Sequence, residues 1–249
     1  MRVAALYDIH GMLTPLQAVL DEVEVEGADV IVVGGDVASG PQPSETLELL
    51  RELGDRVSWV RGNGDRELAA GGTGDHPPGV QASIRWTAER LSEEQRGFLG
   101  SLAETVVLDV DGLGDVRFCH ATPRSDEEIV TQATPDHHLQ KVLARVEEPV
   151  VVAGHTHMQL DRNVDGIRWV NAGSVGMPYE GDVAAFWALL GPDVELRRTP
   201  FDVERSVREV LQSGWPDAET FVEQNLRAAV ERQDVTAFFE QVAIDRGER

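Results

Sequence analysis

Three short apolar runs near the N-terminus, each stopped abruptly by polar residues, constrain the fold of this chain more than any other feature. Residues 3–7 are apolar up to Asp8, Val30–Val33 is closed by Gly34-Gly35-Asp36, and Val57–Val60 is closed by Gly62-Asn63-Gly64-Asp65. Between them apolar residues recur every three or four positions: Leu13, Leu16, Val19, Leu20 and Val23, then Leu47, Leu50 and Leu53 after Pro43-Ser44. That spacing predicts helices, and the unbroken apolar runs predict strands buried on both faces. Strand, helix, strand, helix, strand in this order requires right-handed crossovers between parallel strands. The fold class expected is therefore α/β.

The same alternation continues. Ala69–Gly79 is rich in Gly and Pro and reads as a loop or flap. Ser92-Glu93-Glu94-Gln95 reads as a helix start, with Ser92 the N-cap and Gln95 available for a capping box. Val106–Val110 and Val116–Cys119 read as strands joined by a turn at 111–114, Pro135–Val146 as a helix, and Val150–Ala153 as a further buried strand. Short β segments follow at 160–164, 167–170, 184–190 and 194–198. From about Pro200 the pattern is helical only, with breaks expected near Gly214-Trp215-Pro216 and Asp234. Two parts are expected: a core over residues 1–199 and a helical extension over 200–249 packed on it, since roughly fifty residues is near the lower limit for folding alone.

The residues able to do chemistry fall where the predicted strands end, which is where open α/β sheets bind ligands. Asp8-Ile9-His10 ends the first strand, Asp36 the second and Asn63 the third, while His120 and His155-Thr156-His157 follow two later strands. On an extended backbone the residue between Asp8 and His10 lets both side chains point the same way, and the same holds for His155 and His157. A carboxylate between two imidazole sets is able to bridge two cations, which is the natural role for Asp36.

Asp8-x-His10, Gly35-Asp36, Gly62-Asn63-x-Asp65, His120 and Gly154-His155-Thr156-His157, in this order, resemble the calcineurin-like metallophosphoesterase superfamily, and within it the small bacterial phosphodiesterase and phosphatase group. Asn171-Ala-Gly173-Ser174-Val175-Gly176 also resembles a segment of that group, and the match covers the core from residue 3 to about 199. The resemblance implies a four-layer α-β-β-α sandwich. It also implies one metal ion on Asp8, His10, Asp36 and His157, and a second on Asp36, Asn63, His120 and His155. Such a mixed oxygen and imidazole shell suits manganese first, with iron or zinc as alternatives, over calcium or magnesium. The implied reaction is hydrolysis of a phosphodiester or phosphomonoester by in-line attack of a hydroxide shared by two ions about 4 Å apart. Asp36 and Asn63 then act directly in catalysis, and Asp65 is expected behind them as an acceptor orienting a metal-bound His.

The chain departs from that pattern at Gly64, where many relatives carry a His that protonates the leaving oxygen. General acid help is typically worth roughly 10²–10⁴, so its loss favours phosphodiesters with good leaving groups, or phosphoanhydrides. His76 in the loop and Asp126 after His120 are candidate substitutes, His76 more simply a solvated loop residue. Arg124 and Arg61 are candidates for gripping a substrate phosphate bidentately, weighed against ion pairing in an acidic protein. Tyr7 and Met12 stand where relatives often carry Ser and Asn. His137 and His138 are expected at the surface or capping a helix, Cys119 as a small buried hydrophobe, and the five scattered Trp residues as packing. The acidic run Asp21-Glu22-Glu24-Glu26 reads as a solvated helix face.

A formal net charge of −22 opposes nucleic acid and anionic membrane surfaces as partners, so a small phosphorylated substrate is expected. A nuclease is accordingly a poor reading. The chain has one cysteine, no membrane-length apolar stretch and no signal-like N-terminus. These features point to a cytoplasmic protein. The alternative to an enzyme is a non-catalytic metal-binding scaffold on the same fold, which Gly64 favours and the complete set of seven donors opposes. The tail's apolar stripes need burial against the core or in a homodimer.

Overall fold

The structure, a computed structural model, describes residues 1–73 and 76–249. Two five-stranded sheets form its centre. The first runs β10 (Val194–Thr199), β9 (Ala185–Leu190), β1 (Val3–Leu6), β2 (Val30–Val33), β3 (Val57–Trp59), with β1, β2 and β3 parallel. The second runs β4 (Thr105–Val110), β5 (Gly114–Cys119), β6 (Val150–Ala153), β8 (Ile167–Asn171), β7 (Leu160–Val164), with β5, β6 and β8 parallel and antiparallel edges.

Strand alternation sorts the apolar residues into layers. Ala4 and Leu6 of β1, Ile31 and Val33 of β2 and Trp187 of β9 face α1 (Leu13–Glu26) and α2 (Pro43–Arg51). Val3, Ala5 and Val32 face the other way, meeting Phe118, Val150, Val152 and Val170 between the sheets. Cys119, Val151, Ala153 and Trp169 turn outward onto Leu139 and Val142 of α6 (Asp136–Leu143). The result is the expected α-β-β-α sandwich of two mixed sheets, with their central strands β1, β2 and β6 buried on both faces.

Several elements differ from expectation. Gly62-Asn63-Gly64-Asp65 is a helix start as well as a strand exit, opening α3 (Asn63–Ala69). Most of the expected loop Ala69–Gly79 is irregular, but α4 (Pro78–Arg90) begins within it behind Pro77, and Gly74 and Asp75 lie outside the described residues. α4 escapes periodicity because its buried face is Ser83, Thr87 and Ala88, hardly an apolar stripe. α5 (Glu93–Ser101) does open on the Ser92–Gln95 capping box.

The tail forms α7 (Val203–Ser213), α8 (Ala218–Phe221) running into a wider turn at Val222–Leu226, and α9 (Arg232–Asp245). Asp234 lies in the first turn of α9, so the second break falls earlier than expected, between Leu226 and Arg232. Met12, which follows the first ligand loop, packs with Val207, Val210, Phe221 and Leu226 of the tail. At the far end Arg246 donates to the Glu127 carbonyl and Thr131 to Glu240. The tail therefore straps the ligand-bearing end of the molecule from the first sheet to the second. The acidic face of α1 is not simply solvated: Glu22 and Glu26 clamp Arg197, each at 2.6 Å.

Candidate metal centre

The seven donors expected from sequence come together at one end of the two sheets. Asp8 and His10 follow β1, Asp36 follows β2 and Asn63 opens α3, while His120 follows β5 and His155 and His157 follow β6. The extended-backbone explanation for Asp8 and His10 is wrong. Asp8, His10, Asp36, His155 and His157 all adopt left-handed backbone, with φ between 50° and 67°. For residues with a Cβ this conformation costs of order 1 kcal/mol each, and it curls each loop so that alternate side chains turn into one space. The loops repay that cost by bonding to each other: His10 N–H to Asp36 O at 2.9 Å and Gly11 N–H to Val37 O at 2.9 Å.

The segment 171–176 locks the two sheets' loops together. Asn171 donates to the Gly154 carbonyl at 2.6 Å, Ser174 Oγ to the Asp8 carbonyl at 2.7 Å, and Gly176 N–H to the same carbonyl at 3.0 Å. A Cβ on Gly176 would stand 1.9 Å from the Ile9 carbonyl oxygen, so only glycine closes this contact. Tyr7 fills the floor, its hydroxyl donating to the Val152 carbonyl at 3.0 Å.

Backbone carbonyls fix which imidazole nitrogen faces inward. His10, His120 and His157 donate from Nδ1 to the carbonyls of Ser39, Gly34 and Met177, at 3.2, 2.9 and 2.7 Å, leaving Nε2 lone pairs in the site. His155 is reversed: its Nε2 donates to Glu127 O at 3.1 Å, so Nδ1 points in. Here the expectation for Asp65 fails. Its carboxylate orients no imidazole; it accepts the N–H groups of Asp36 (2.9 Å), Val37 (3.0 Å) and Gly62 (2.9 Å) and so fixes the two loops that present Asp36 and Asn63. Burial and the nearby Asp36 carboxylate push its pKa up to about 6 against the pull of those amides.

The inward atoms are acceptors facing acceptors. His10 Nε2 lies 3.1 Å from His157 Nε2, and His157 Nε2 3.2 Å from Asp8 Oδ1, a buried oxygen with no hydrogen-bond partner. Asn63 Oδ1 lies 3.1 Å from His120 Nε2. With the amide turned over, its NH₂ would donate to His120 Nε2 and His155 Nδ1 at 3.1 and 3.2 Å, whereas a cation there would be met by the oxygen. Donors sharing one cation at about 2.1 Å lie roughly 3 Å apart, so this clustering is what a metal would resolve. Among the described residues two groups are compact enough to hold an ion, Asp8 with His10 and His157, and Asp8 with Asp36 and His120. Each carboxylate has one oxygen on a backbone amide, Asp8 Oδ2 on the His155 N–H at 2.8 Å and Asp36 Oδ1 on the Gly64 N–H at 2.7 Å, and Asp36 turns Oδ2 toward His10 (3.9 Å) and Oδ1 toward His120 (3.7 Å).

The electrostatics suit the same use. Burial, then the neighbouring His120, lowers His155 to about 4, and burial with His157 lowers His10. Both therefore present lone pairs at neutral pH, the form a metal requires. Burial works to raise Asp8, but His157, His120 and His10 outweigh it and hold the carboxyl well below its usual range. For His120, burial is outweighed by Asp36 and Asp8, and its pKa is raised.

Arg61 and Arg124 share a cleft of about 240 Å³ with His120 and with Arg66, which sequence reasoning missed. All three are ion-paired: Arg61 to Glu104 at 2.8 Å, Arg66 to Asp126 at 2.8 Å and Arg124 to Glu128. Although burial tends to raise it, Arg66 holds the Asp126 carboxyl below its ordinary range, so Asp126 carries no proton to give at neutral pH. His76 is half-buried and bonded to Glu67 at 3.1 Å, not the solvated residue expected. His138 is buried too, 3.3 Å from Glu128, while His137 is exposed. The site's other unpredicted residues are Tyr179, stacked on His157 at 4.9 Å, and Trp215. An aromatic close behind the 171–176 segment was the available signal for Tyr179; a tail tryptophan far along the chain offered none.

A two-sheet α/β protein with carboxylate, amide and imidazole donors gathered at the strand exits has the makings of a metal centre. The chain belongs to the calcineurin-like phosphoesterase superfamily, whose domain description matches residues 1–190. It is 26% identical over 235 residues, 86% of this chain and 94% of the other, to an uncharacterized protein of Methanocaldococcus jannaschii. The crystal structure of a metallophosphoesterase from Sphaerobacter thermophilus superposes with a TM-score of 0.75 at 26% identity, over 92% of this chain and 99% of that one. A symmetrical bis(5′-nucleosyl)-tetraphosphatase of Thioalkalivibrio sulfidiphilus is 38% identical over 78 residues, only 30% of this chain and 29% of that protein. Among the described residues no helix is long and apolar enough to cross a membrane.

Proposed function

We propose that this protein hydrolyses small phosphodiesters or phosphoanhydrides with two divalent cations, manganese being the best match to its donors. The observation that carries the reading is the convergence of inward lone pairs around Asp8 Oδ1, a buried oxygen without a partner. Asp8, His10, Asp36 and His157 would hold one ion, and Asp36, Asn63, His120 and His155 the other. Asp36 would be the shared donor because its two oxygens face opposite sets, Oδ1 also accepting from the Gly64 N–H at 2.7 Å. When bound, such ions supply Lewis acidity that activates water and neutralises phosphoryl charge.

The protein's own groups shape which ester is cleaved. Gly64 offers no proton, and a Cβ there would stand 2.5 Å from Ser39 Oγ and 3.0 Å from Asp36 Oδ1, so this site is built without a side chain at that place. Asp126 is held as a carboxylate by Arg66. Leaving groups that depart without protonation are therefore favoured, which supports diesters of acidic alcohols and anhydrides over alkyl monoesters. The nucleosyl tetraphosphatase among the relatives adds support for an anhydride. Arg61 lines the cleft with His120, and its guanidinium, paired with Glu104, is a candidate to meet a phosphoryl oxygen there. The charge of −22 disfavours polynucleotide substrates.

The test is hydrolysis of bis-p-nitrophenyl phosphate against p-nitrophenyl phosphate by metal-stripped protein with Mn²⁺ added back, alongside Asp36→Asn. The expected result is metal-dependent turnover favouring the diester. The Asp36→Asn loss should exceed the roughly 10–100-fold typical of a residue behind the ligands. Failure to bind metal would sink the reading.

A further inference from the structure

A cleft of about 260 Å³ opens directly off the donor cluster, lined at one end by His10, Asp36 and Asn63. Away from the donors its apolar lining is Val80 and Ile84 of α4, Met177 and, from the tail, Trp215. Its polar groups are His76 with Glu67, and Ser83, whose hydroxyl donates to Asp217. No lysine or arginine is among the described residues lining it, whereas Arg61, Arg66 and Arg124 all line the separate cleft beside His120. The indole N–H of Trp215 is buried and has no acceptor among the described residues.

Each feature narrows what enters. A phosphate held at the donors extends whatever is esterified to it into this cleft, because His10, Asp36 and Asn63 belong to both. Gly64 also lines it, adding no side chain at the junction. The carboxylates of Glu67 and Asp217 repel a second phosphate but accept hydroxyl or amino donors. Apolar walls and an indole among them suit a flat ring. The volume lies near the lower end of small-molecule sites, roughly 300–1,000 Å³, which is room for one ring system with a sugar and not two.

Resting on the reading that phosphate binds at the donors, we propose that this cleft is a nucleoside subsite, with Trp215 its specificity-determining residue. A heterocycle sits against the Val80–Ile84 wall and Trp215, and the sugar hydroxyls reach Asp217. The tail is then part of the substrate site and not only a cover.

Equilibrium binding to the full-length, Mn²⁺-loaded protein tests this without requiring turnover. The probes are adenosine 5′-monophosphate, ribose 5-phosphate and inorganic phosphate, measured by calorimetry. Stacking a base on an aromatic side chain is worth roughly tenfold or more in affinity, so the nucleotide should bind at least about tenfold tighter than the other two. Trp215→Ala should bring the nucleotide to within about twofold of ribose 5-phosphate, and Trp215→Phe should fall between. Because Trp215 also packs in the tail, Val80→Trp provides a second arm: Val80 is 47% exposed, so the larger ring fills the cleft without entering the core. A nucleotide no tighter than phosphate in the native protein, or an advantage that survives both Trp215→Ala and Val80→Trp, would overturn the subsite. Trp215-dependent nucleotide binding with no binding of phosphate would keep the cleft and remove the phosphoesterase reading instead.

Discussion

The two sheets make unequal contributions to one site. The sheet containing β1, β2 and β3 delivers the oxygens Asp8, Asp36 and Asn63, and only one imidazole, His10. The sheet containing β5 and β6 delivers imidazoles alone, His120, His155 and His157. Each side is held by a buried carboxylate, and the two carboxylates work differently. Asp65, wholly buried, accepts three backbone N–H groups and nothing else, so it holds loops in place by satisfying amides. Glu128 accepts from Thr122 and Arg124 and faces His138, so it holds the loop after His120 through side chains and charge. That loop carries the Glu127 carbonyl which orients His155. The oxygen side is thus anchored by backbone hydrogen bonds that charge screening barely touches, and the imidazole side by an ion pair that acid can dissolve.

The largest effect is expected on the oxygen side. Asp65→Ala would orphan three buried N–H groups at roughly 1–3 kcal/mol apiece. Even the low end, about 3 kcal/mol, lowers Tm by roughly 6–12 °C in a chain of this size. Thermal melts of the metal-free protein measure it, and a fall under about 2 °C would show that other donors take over. Next in size is the metal itself, which should bind the folded chain only when both sheets are docked. Mn²⁺ at a hundredfold over its Kd should add about 2.7 kcal/mol, or roughly 5–10 °C in Tm, reversed by chelation. Asp36→Asn and His120→Ala should each remove most of that shift. If His120→Ala left it intact, the imidazole sheet would not share the ions with the oxygen sheet.

The oxygen side was the more legible from sequence. Asp8, Asp36 and Asn63 sit at the ends of apolar runs whose strand character needs no tertiary information, and His155-Thr156-His157 announces itself in the same way. The order of motifs then identified the family. Illegible were the parts made of backbone or of distant chain. The acceptors that choose each histidine's nitrogen are carbonyls of Gly34, Ser39, Glu127 and Met177, and a carbonyl leaves no mark on residue identity. Left-handed backbone at Asp and His positions breaks the usual preference for glycine, so extended geometry was the wrong default there. α4 was missed because Ser83 and Thr87 form its buried face, and Trp215 reaches the site only because the tail folds back across it. His138 was expected at the surface or capping a helix, yet it is buried against Glu128, ten residues earlier.

The smallest effect discriminates most finely between the two anchors. Burial alone would raise the Glu128 pKa, but Arg124 and Thr122 outweigh it and hold the carboxyl below its ordinary value. A carboxyl lowered by folding contributes stability above its unfolded pKa, near 4.3, and loses that contribution as pH falls through the folded value. Glu128→Gln should therefore cost about 1 kcal/mol at pH 7, discounted because Arg124 is half exposed, which is roughly 2–4 °C. The gap between variant and native protein should narrow as pH drops below about 4 and close once the native carboxyl is protonated. Asp65→Asn offers the contrast: folding raises the Asp65 carboxyl to about 6, so the native protein gains stability as pH falls through that value and the Asn variant's deficit should widen in acid where that of Glu128→Gln closes. Melts of both variants from pH 7 down to the acid transition decide the matter. A Glu128→Gln deficit that stays constant across that range would mean that the imidazole side, like the oxygen side, is held by hydrogen-bond geometry and not by charge.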